Sequence, residues 1–102
     1  MSRIAKLRSL LEDQPTDVFL NFGLAMELLK DDQKEEAIAL FDRTLELDPG
    51  YLAAYMQKAS ALIALGRREQ AKATLAEGIA VAGTAGDSHA ADQAQKILDS
   101  LA

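Results

Sequence analysis

His89 is the only histidine of the chain, and Asp31, Asp32, Glu35 and Glu36 form its tightest group of carboxylates. Reaction chemistry could start from these residues. General acid–base work needs a histidine oriented by a carboxylate and set in a pocket. Asp87 and Asp92 flank His89, but nothing else converges there, so an ordinary residue in the first turn of a C-terminal helix is expected. The acidic group would have to bind a cation. A calcium loop alternates oxygen ligands around a turn glycine, and residues 31–36 have neither feature. Acids at a helix start that complement the backbone dipole are the expectation instead. There is no cysteine, hence no disulfide, thiolate metal site or thiol nucleophile. No glycine-rich phosphate loop, nucleophile elbow or zinc-binding helix motif occurs. The residues point to no catalysis, no metal and no cofactor.

A second set of residues is suited to binding. Helix 17–30 reads Val18-Phe19-Leu20-Asn21-Phe22-Gly23-Leu24-Ala25-Met26-Glu27-Leu28-Leu29, apolar almost all the way round. One stripe, Leu20, Leu24, Ala25 and Leu28, suffices to seat a surface helix. Phe19, Phe22, Met26 and Leu29 make another at spacings of three and four. Two stripes need two partners, and contiguous exposed apolar surface usually marks an interface.

The elements that must position these residues are helices. With 102 residues the chain is one domain, and with two prolines and six glycines it has few breaks. The net charge of −5 leaves no basic face of the kind nucleic acid requires. No apolar run approaches the ~20 residues of a membrane span. The start, with Arg3, Lys6 and Arg8 among apolar residues, lacks the unbroken stretch of a secretory signal. A cytoplasmic, soluble protein is the expectation.

Periodicity and breaker residues predict helices over about 3–12, 17–30, 34–47, 51–65, 67–82 and 87–101. Pro15 and Pro49 delimit the first three, and Gly66 supplies a left-handed stop. Asp17 or Thr16 caps the second helix and Asp87 or Ser88 the last. Residues 83–86, Gly-Thr-Ala-Gly, are expected to loosen the chain. The pattern also repeats: Pro15 matches Pro49, Ala25 matches Ala59, Leu28 matches Leu62, Ala37 matches Ala71 and Phe41 matches Leu75, all 34 residues apart. A fixed period of this length is the mark of a helical-repeat array.

Two helices in 34 residues, with small residues at helix crossings and a proline after the second helix, resemble the tetratricopeptide repeat. Leu24, Ala25 and Leu28 fall on the family's first-helix cluster, Ala37 and Phe41 on its second-helix Ala-x-x-x-Phe, and Pro49 on its closing proline. Tyr55, Ala59, Leu62, Gly66, Ala71 and Leu75 follow in the next unit, and residues 45–51, Leu-Glu-Leu-Asp-Pro-Gly-Tyr, form a characteristic junction. Asn21 stands in place of an aromatic residue, Lys58 in place of an apolar one, and Gly83 in place of the second closing proline.

The resemblance implies an all-α, right-handed superhelix of antiparallel hairpins with about six helices. Residues 1–16 would be an N-terminal capping helix, 17–51 and 52–85 two repeats, and 86–102 a C-terminal capping helix. It also implies a concave groove lined by the first helix of each repeat: Phe19, Phe22, Met26, Leu29 and Lys30, then Ala53, Met56, Ser60, Ile63 and Ala64, then Asp87, Ala90, Ala94 and Ile97. The partner would be a protein or peptide, as an apolar segment or amphipathic helix in the groove, or a second copy of the chain in a homodimer. Family members that hold a chaperone's terminal carboxylate do so with cationic and amide side chains. The matching positions here are Phe22, Met26, Gln57, Asp87 and Ala91, none of them cationic. Phe22→Glu is accordingly expected to block binding while sparing stability.

Charge is uneven along the chain. Residues 18–51 hold eight acids against Lys30, Lys34 and Arg43, whereas 52–85 hold Lys58, Arg67, Arg68 and Lys72 against Glu69 and Glu77. Solvated outer faces account for this most simply.

Overall fold

In the computed structural model, which describes residues 2–102, six helices follow one another through short connections: α1 (Arg3–Asp13), α2 (Val18–Lys30), α3 (Lys34–Leu47), α4 (Leu52–Ala64), α5 (Arg68–Ala85) and α6 (Ser88–Ser100). No strand occurs among the described residues. Three helices begin on a side-chain cap that satisfies an otherwise unpaired amide. Ser2 accepts from the Ala5 amide, Asp17 from Leu20 at 2.9 Å, and Asp87 from Ala90 at 3.0 Å.

The hairpin turns use the left-handed backbone. Gly66 sits at φ 76° between α4 and α5, and Asp32, the residue 34 earlier, sits at φ 61° between α2 and α3. A short polar side chain is among the few that tolerate that region without glycine. The exit from α5 departs from expectation. The helix runs to Ala85 through Gly83 and Thr84, and stops at Gly86 with φ 74°. A glycine inside a helix costs only about 1 kcal/mol relative to alanine. A proline would have clashed with the preceding turn, and none stands at position 83 to force an earlier end.

Each helix packs on the next, and α2 also touches α4 across the turn. This places α2, α4 and α6 along one side and α1, α3 and α5 along the other, within a thickness of 17 Å that fits two helix layers. Small residues set the close crossings. Ala25 and Ala37 are sealed between α2 and α3, as are their period mates Ala59 and Ala71 between α4 and α5. At Gly78 a Cβ would lie 3.0 Å from the Tyr55 Cβ, so α4 and α5 approach where only glycine fits without displacement.

Two clusters make up the core. Leu24, Ala25, Leu28, Ala37, Phe41 and Ala54 form one, against which Ile4, Leu7 and Leu11 of α1 pack. The other joins Ile38 to Ala59, Leu62, Ala71, Leu75, Ala94 and Leu101. The residues that depart from the repeat pattern are put to use. Asn21, 3 % exposed, donates through its amide to the carbonyls of Pro15 and Asp17, tying the α1–α2 loop to the helix it precedes. Lys58 reaches Asp42 of the preceding repeat at 2.7 Å. The Tyr55 hydroxyl donates to the Pro49 carbonyl at 2.8 Å, and burial, followed by the nearby Glu77 and Asp48 charges, pushes the phenol up from its ordinary range.

The uneven charge serves the stacking. Arg67 pairs with Glu35, Lys58 with Asp42, Arg8 with Glu36 at 2.5 Å and Arg3 with Glu27 at 2.8 Å, each joining consecutive helical units. Hydrogen bonding from the Arg8 guanidinium holds the Glu36 carboxyl below its ordinary value, and burial only partly opposes this. A carboxylate depressed on folding stabilises above its unfolded pKa, and the contribution is lost as pH falls through the lower folded value. Both side chains are well exposed, so solvent screening keeps the effect under about 1 kcal/mol. Glu36→Gln should therefore be slightly less stable than the parent at neutral pH, and the gap should close below pH ~4, as read from urea melts across pH.

Candidate functional site

The side formed by α2, α4 and α6 carries the residues picked out for binding, and their environments differ sharply. Phe19, in the first turn of α2, is 76 % exposed. Its ring meets Tyr51 edge-on at 6.3 Å between centroids. Phe22, one turn on, is half-buried, with Tyr51 at 4.8 Å and Phe41 at 5.8 Å. It packs against the first core cluster together with Met26 and Leu29, and Leu29 touches the second cluster as well.

The second apolar stripe of α2 is thus divided. Its inner part fills gaps between α2, α3 and the α4 start, and only Phe19 stands free. Phe22 in particular is not the free surface residue that its spacing suggests. A charge placed there would enter an aromatic contact with a fully buried side chain, so Phe22→Glu would disturb fold and surface together. α1 does not cover Phe19. Its Leu7 lies against Gly23, with Cδ2 3.9 Å from where a glycine Cβ would stand.

The remaining predicted residues spread over the same side. Lys30 is exposed and 3.6 Å from Glu27. On α4, Ser60, Ala53 and Ala64 are exposed, Ile63 is 36 % exposed, and Met56 is half-buried on the second cluster. On α6, Asp87 is spent on its cap, Ala90 and Ile97 are half-buried, and Ala94, 2 % exposed, belongs to the core and not to any groove. Alanine has no length with which to reach past a close α5–α6 contact.

Between α4 and α6 lies a pocket of about 640 Å³ lined by Ala53, Met56, Gln57, Gln93, Lys96 and Ile97. Neither Gln93 nor Lys96 is among the residues that the sequence picks out for binding. The helical phase set by Ala90, Ala94 and Ile97 could have shown them leaning toward α4. Tyr51 was also missed as a binding-side residue, being read as part of the junction alone.

The residues with potential chemistry do not assemble. His89 is exposed in the first turn of α6 and lines none of the described pockets. Of the acidic group, Asp32 pairs with Lys34, Glu35 with Arg67 and Glu36 with Arg8, while Asp31 accepts from Gln33 at 2.5 Å. No group of three metal-ligating side chains comes together among the described residues. No helix among them is long and apolar enough to cross a membrane.

Stacked antiparallel hairpins on a 34-residue period, with a mixed apolar and polar surface along one helix layer, define a helical-repeat protein. The tetratricopeptide repeat family profile matches residues 28–91. The chain belongs to the tetratricopeptide repeat family. A tetratricopeptide repeat domain protein from Salinibacter ruber is 33 % identical over 85 % of this chain and 88 % of its own, with a TM-score of 0.79. More distant structures share the fold. The TPR2B domain of yeast Sti1, solved as a complex with pHsp70, superposes with a TM-score of 0.87 at 23 % identity, over 96 % of this chain and 78 % of that one. PcrH, solved in complex with the chaperone-binding region of PopD, gives 0.89 at 16 % identity over 96 % and 74 %. No curated protein matches the sequence.

Proposed function

We propose that the chain is a protein-interaction module that takes an apolar peptide or amphipathic helix along the α2–α4–α6 side. The observation that carries the reading is Phe19, a large aromatic side chain left 76 % exposed beside Tyr51, at the head of a surface that continues through Met56 and Ile63. Seating that ring under a partner would contribute about 1.5–3 kcal/mol. Methionine at positions 26 and 56 lets the surface repack around different apolar side chains. Two fold relatives add support, since the Sti1 domain was solved as a complex with pHsp70 and PcrH with the chaperone-binding region of PopD. The domain division at residues 17–51 and 52–85, with capping helices outside, belongs to the same reading.

The test is a displayed library of random short peptides selected on the purified chain and on Phe19→Glu. The parent should enrich peptides with aromatic and aliphatic residues at helical spacing. Phe19→Glu should bind them about tenfold more weakly or worse, a loss of ~1.4 kcal/mol or more. Its stability should shift by no more than about 0.5 kcal/mol, as surface changes do. Equal binding by both proteins sinks the groove. Should the same surface join two copies instead, light scattering would give a mass that rises with concentration in the parent and not in Phe19→Glu.

A further inference from the structure

The pocket between α4 and α6 has a chemistry that the apolar stripe of α2 lacks. Of its six lining residues three are apolar, two are primary amides, one is a cation and none is a carboxylate, in a chain of net charge −5. Of the eleven lysines and arginines, eight are ion-paired among the described residues, and Arg68 donates to the Leu101 carbonyl. Among the described residues Lys6 and Lys96 have no such partner, and of these two only Lys96 lines the pocket. Asp92 and Asp99 lie about one turn away on the same helix without reaching it, and Asp99 accepts from Gln95 at 2.9 Å. The Gln57 and Gln93 amides also make no hydrogen bond to the described chain.

An ammonium and two amide groups around an apolar floor suit one kind of visitor. The ammonium and the amide N–H groups are donors, and a carboxylate accepts from several at once and gains from the positive charge. Met56 and Ile97 would cover the methylenes that carry it. A basic side chain would meet Lys96 and be repelled.

We propose that this pocket receives an acidic side chain of the bound peptide, its carboxylate on Lys96 with Gln57 and Gln93 donating to it. The inference rests on the groove reading above and narrows it. The occupant is an apolar segment that carries a glutamate or aspartate toward α6 and its aromatic or aliphatic anchors toward Phe19.

The experiment selects the random peptide library on the parent, Lys96→Glu and Phe19→Glu, then titrates individual synthetic peptides at low and high salt. Lys96 is exposed, so Lys96→Glu should melt like the parent, and Lys96→Met serves as a neutral second variant. The parent should enrich an acid at one fixed place relative to the apolar anchors. Lys96→Glu should bind those peptides about tenfold more weakly and select lysine or arginine there instead, Lys96→Met should fall between, and added salt should weaken the parent's binding of the acidic peptides and not that of Lys96→Met. Apolar peptides lost on Phe19→Glu, yet without a preferred acid and bound equally by Lys96→Glu, would overturn this inference and leave the groove standing. Selection of no peptide by the parent would overturn both.

Discussion

Phe41→Ala is expected to remove about 3–5 kcal/mol of stability, the range found when a buried aromatic side chain is truncated. Phe41 is the largest fully buried side chain among the described residues. Three of its cluster neighbours, Ala25, Ala37 and Ala54, are alanines. They have no rotamers with which to fill the void, so collapse would require the α2 and α3 backbones to shift. A domain of this size has about 5–15 kcal/mol in all, and each kcal/mol lost lowers the midpoint by about 4–8 °C. A drop of more than ~10 °C should follow in thermal melts monitored by circular dichroism, with a matching fall in the urea midpoint. The half-buried Phe22 ring, 5.8 Å away, is placed to move into the space. A loss under about 1 kcal/mol would mean that it does so completely, and that the aromatic contact on the binding side is soft.

The fold was legible because its determinants are local and recur. Pro15, Pro49 and Gly66 punctuate the chain with residues whose backbone preferences are strong, and the alanines at 25, 37, 59 and 71 repeat wherever helices cross. All four are sealed in the structure. What was not legible depends on contacts distant in sequence. Asn21 reads as a lapse in the pattern until its amide is seen between the Pro15 and Asp17 carbonyls. The charge imbalance between repeats reads as two solvated faces until Arg67 is found on Glu35 and Lys58 on Asp42. Gly83 reads as a break, although one glycine among good helix formers is too weak to stop a helix that alanines on either side sustain.

The candidate site divides for a related reason. Helical spacing assigns Phe19 and Phe22 to one stripe and cannot rank them. The ranking comes from Tyr51, which reaches both rings from the α3–α4 junction. That contact, with Phe41 beneath, turns Phe22 into part of the wall and leaves Phe19 at the rim. Lys96 escaped notice because a lysine on a polar helix face has no distinguishing signal in sequence. Its place in the α4–α6 pocket without an ion-pair partner, visible once the helices are placed, sets it apart from Lys58 or Lys72.

Ala37→Glu should unfold the chain at neutral pH or come close to it. Ala37 is fully sealed at the α2–α3 crossing among Leu24, Ala25, Leu28 and Phe41. The side chain needs room that the crossing lacks, which by itself costs about 1–3 kcal/mol. Its carboxylate would meet no donor or cation in that cluster, and an uncompensated buried charge costs about 3–5 kcal/mol more. The two contributions separate experimentally. Ala37→Gln has nearly the same volume without the charge and should retain the steric loss and the cost of burying an amide, but not that of the charge. Burial would raise the pKa of the introduced carboxyl in the folded state above the unfolded value of ~4.3. A carboxyl so raised binds more protons when folded, so stability relative to Ala37→Gln should fall as pH rises above ~4.3 and level off past the folded pKa. Helical signal against pH for the two variants is the measurement. If they melt together at every pH, the carboxylate has found water, and the tight α2–α3 crossing on which the whole stack is built is looser than its sealed alanines require.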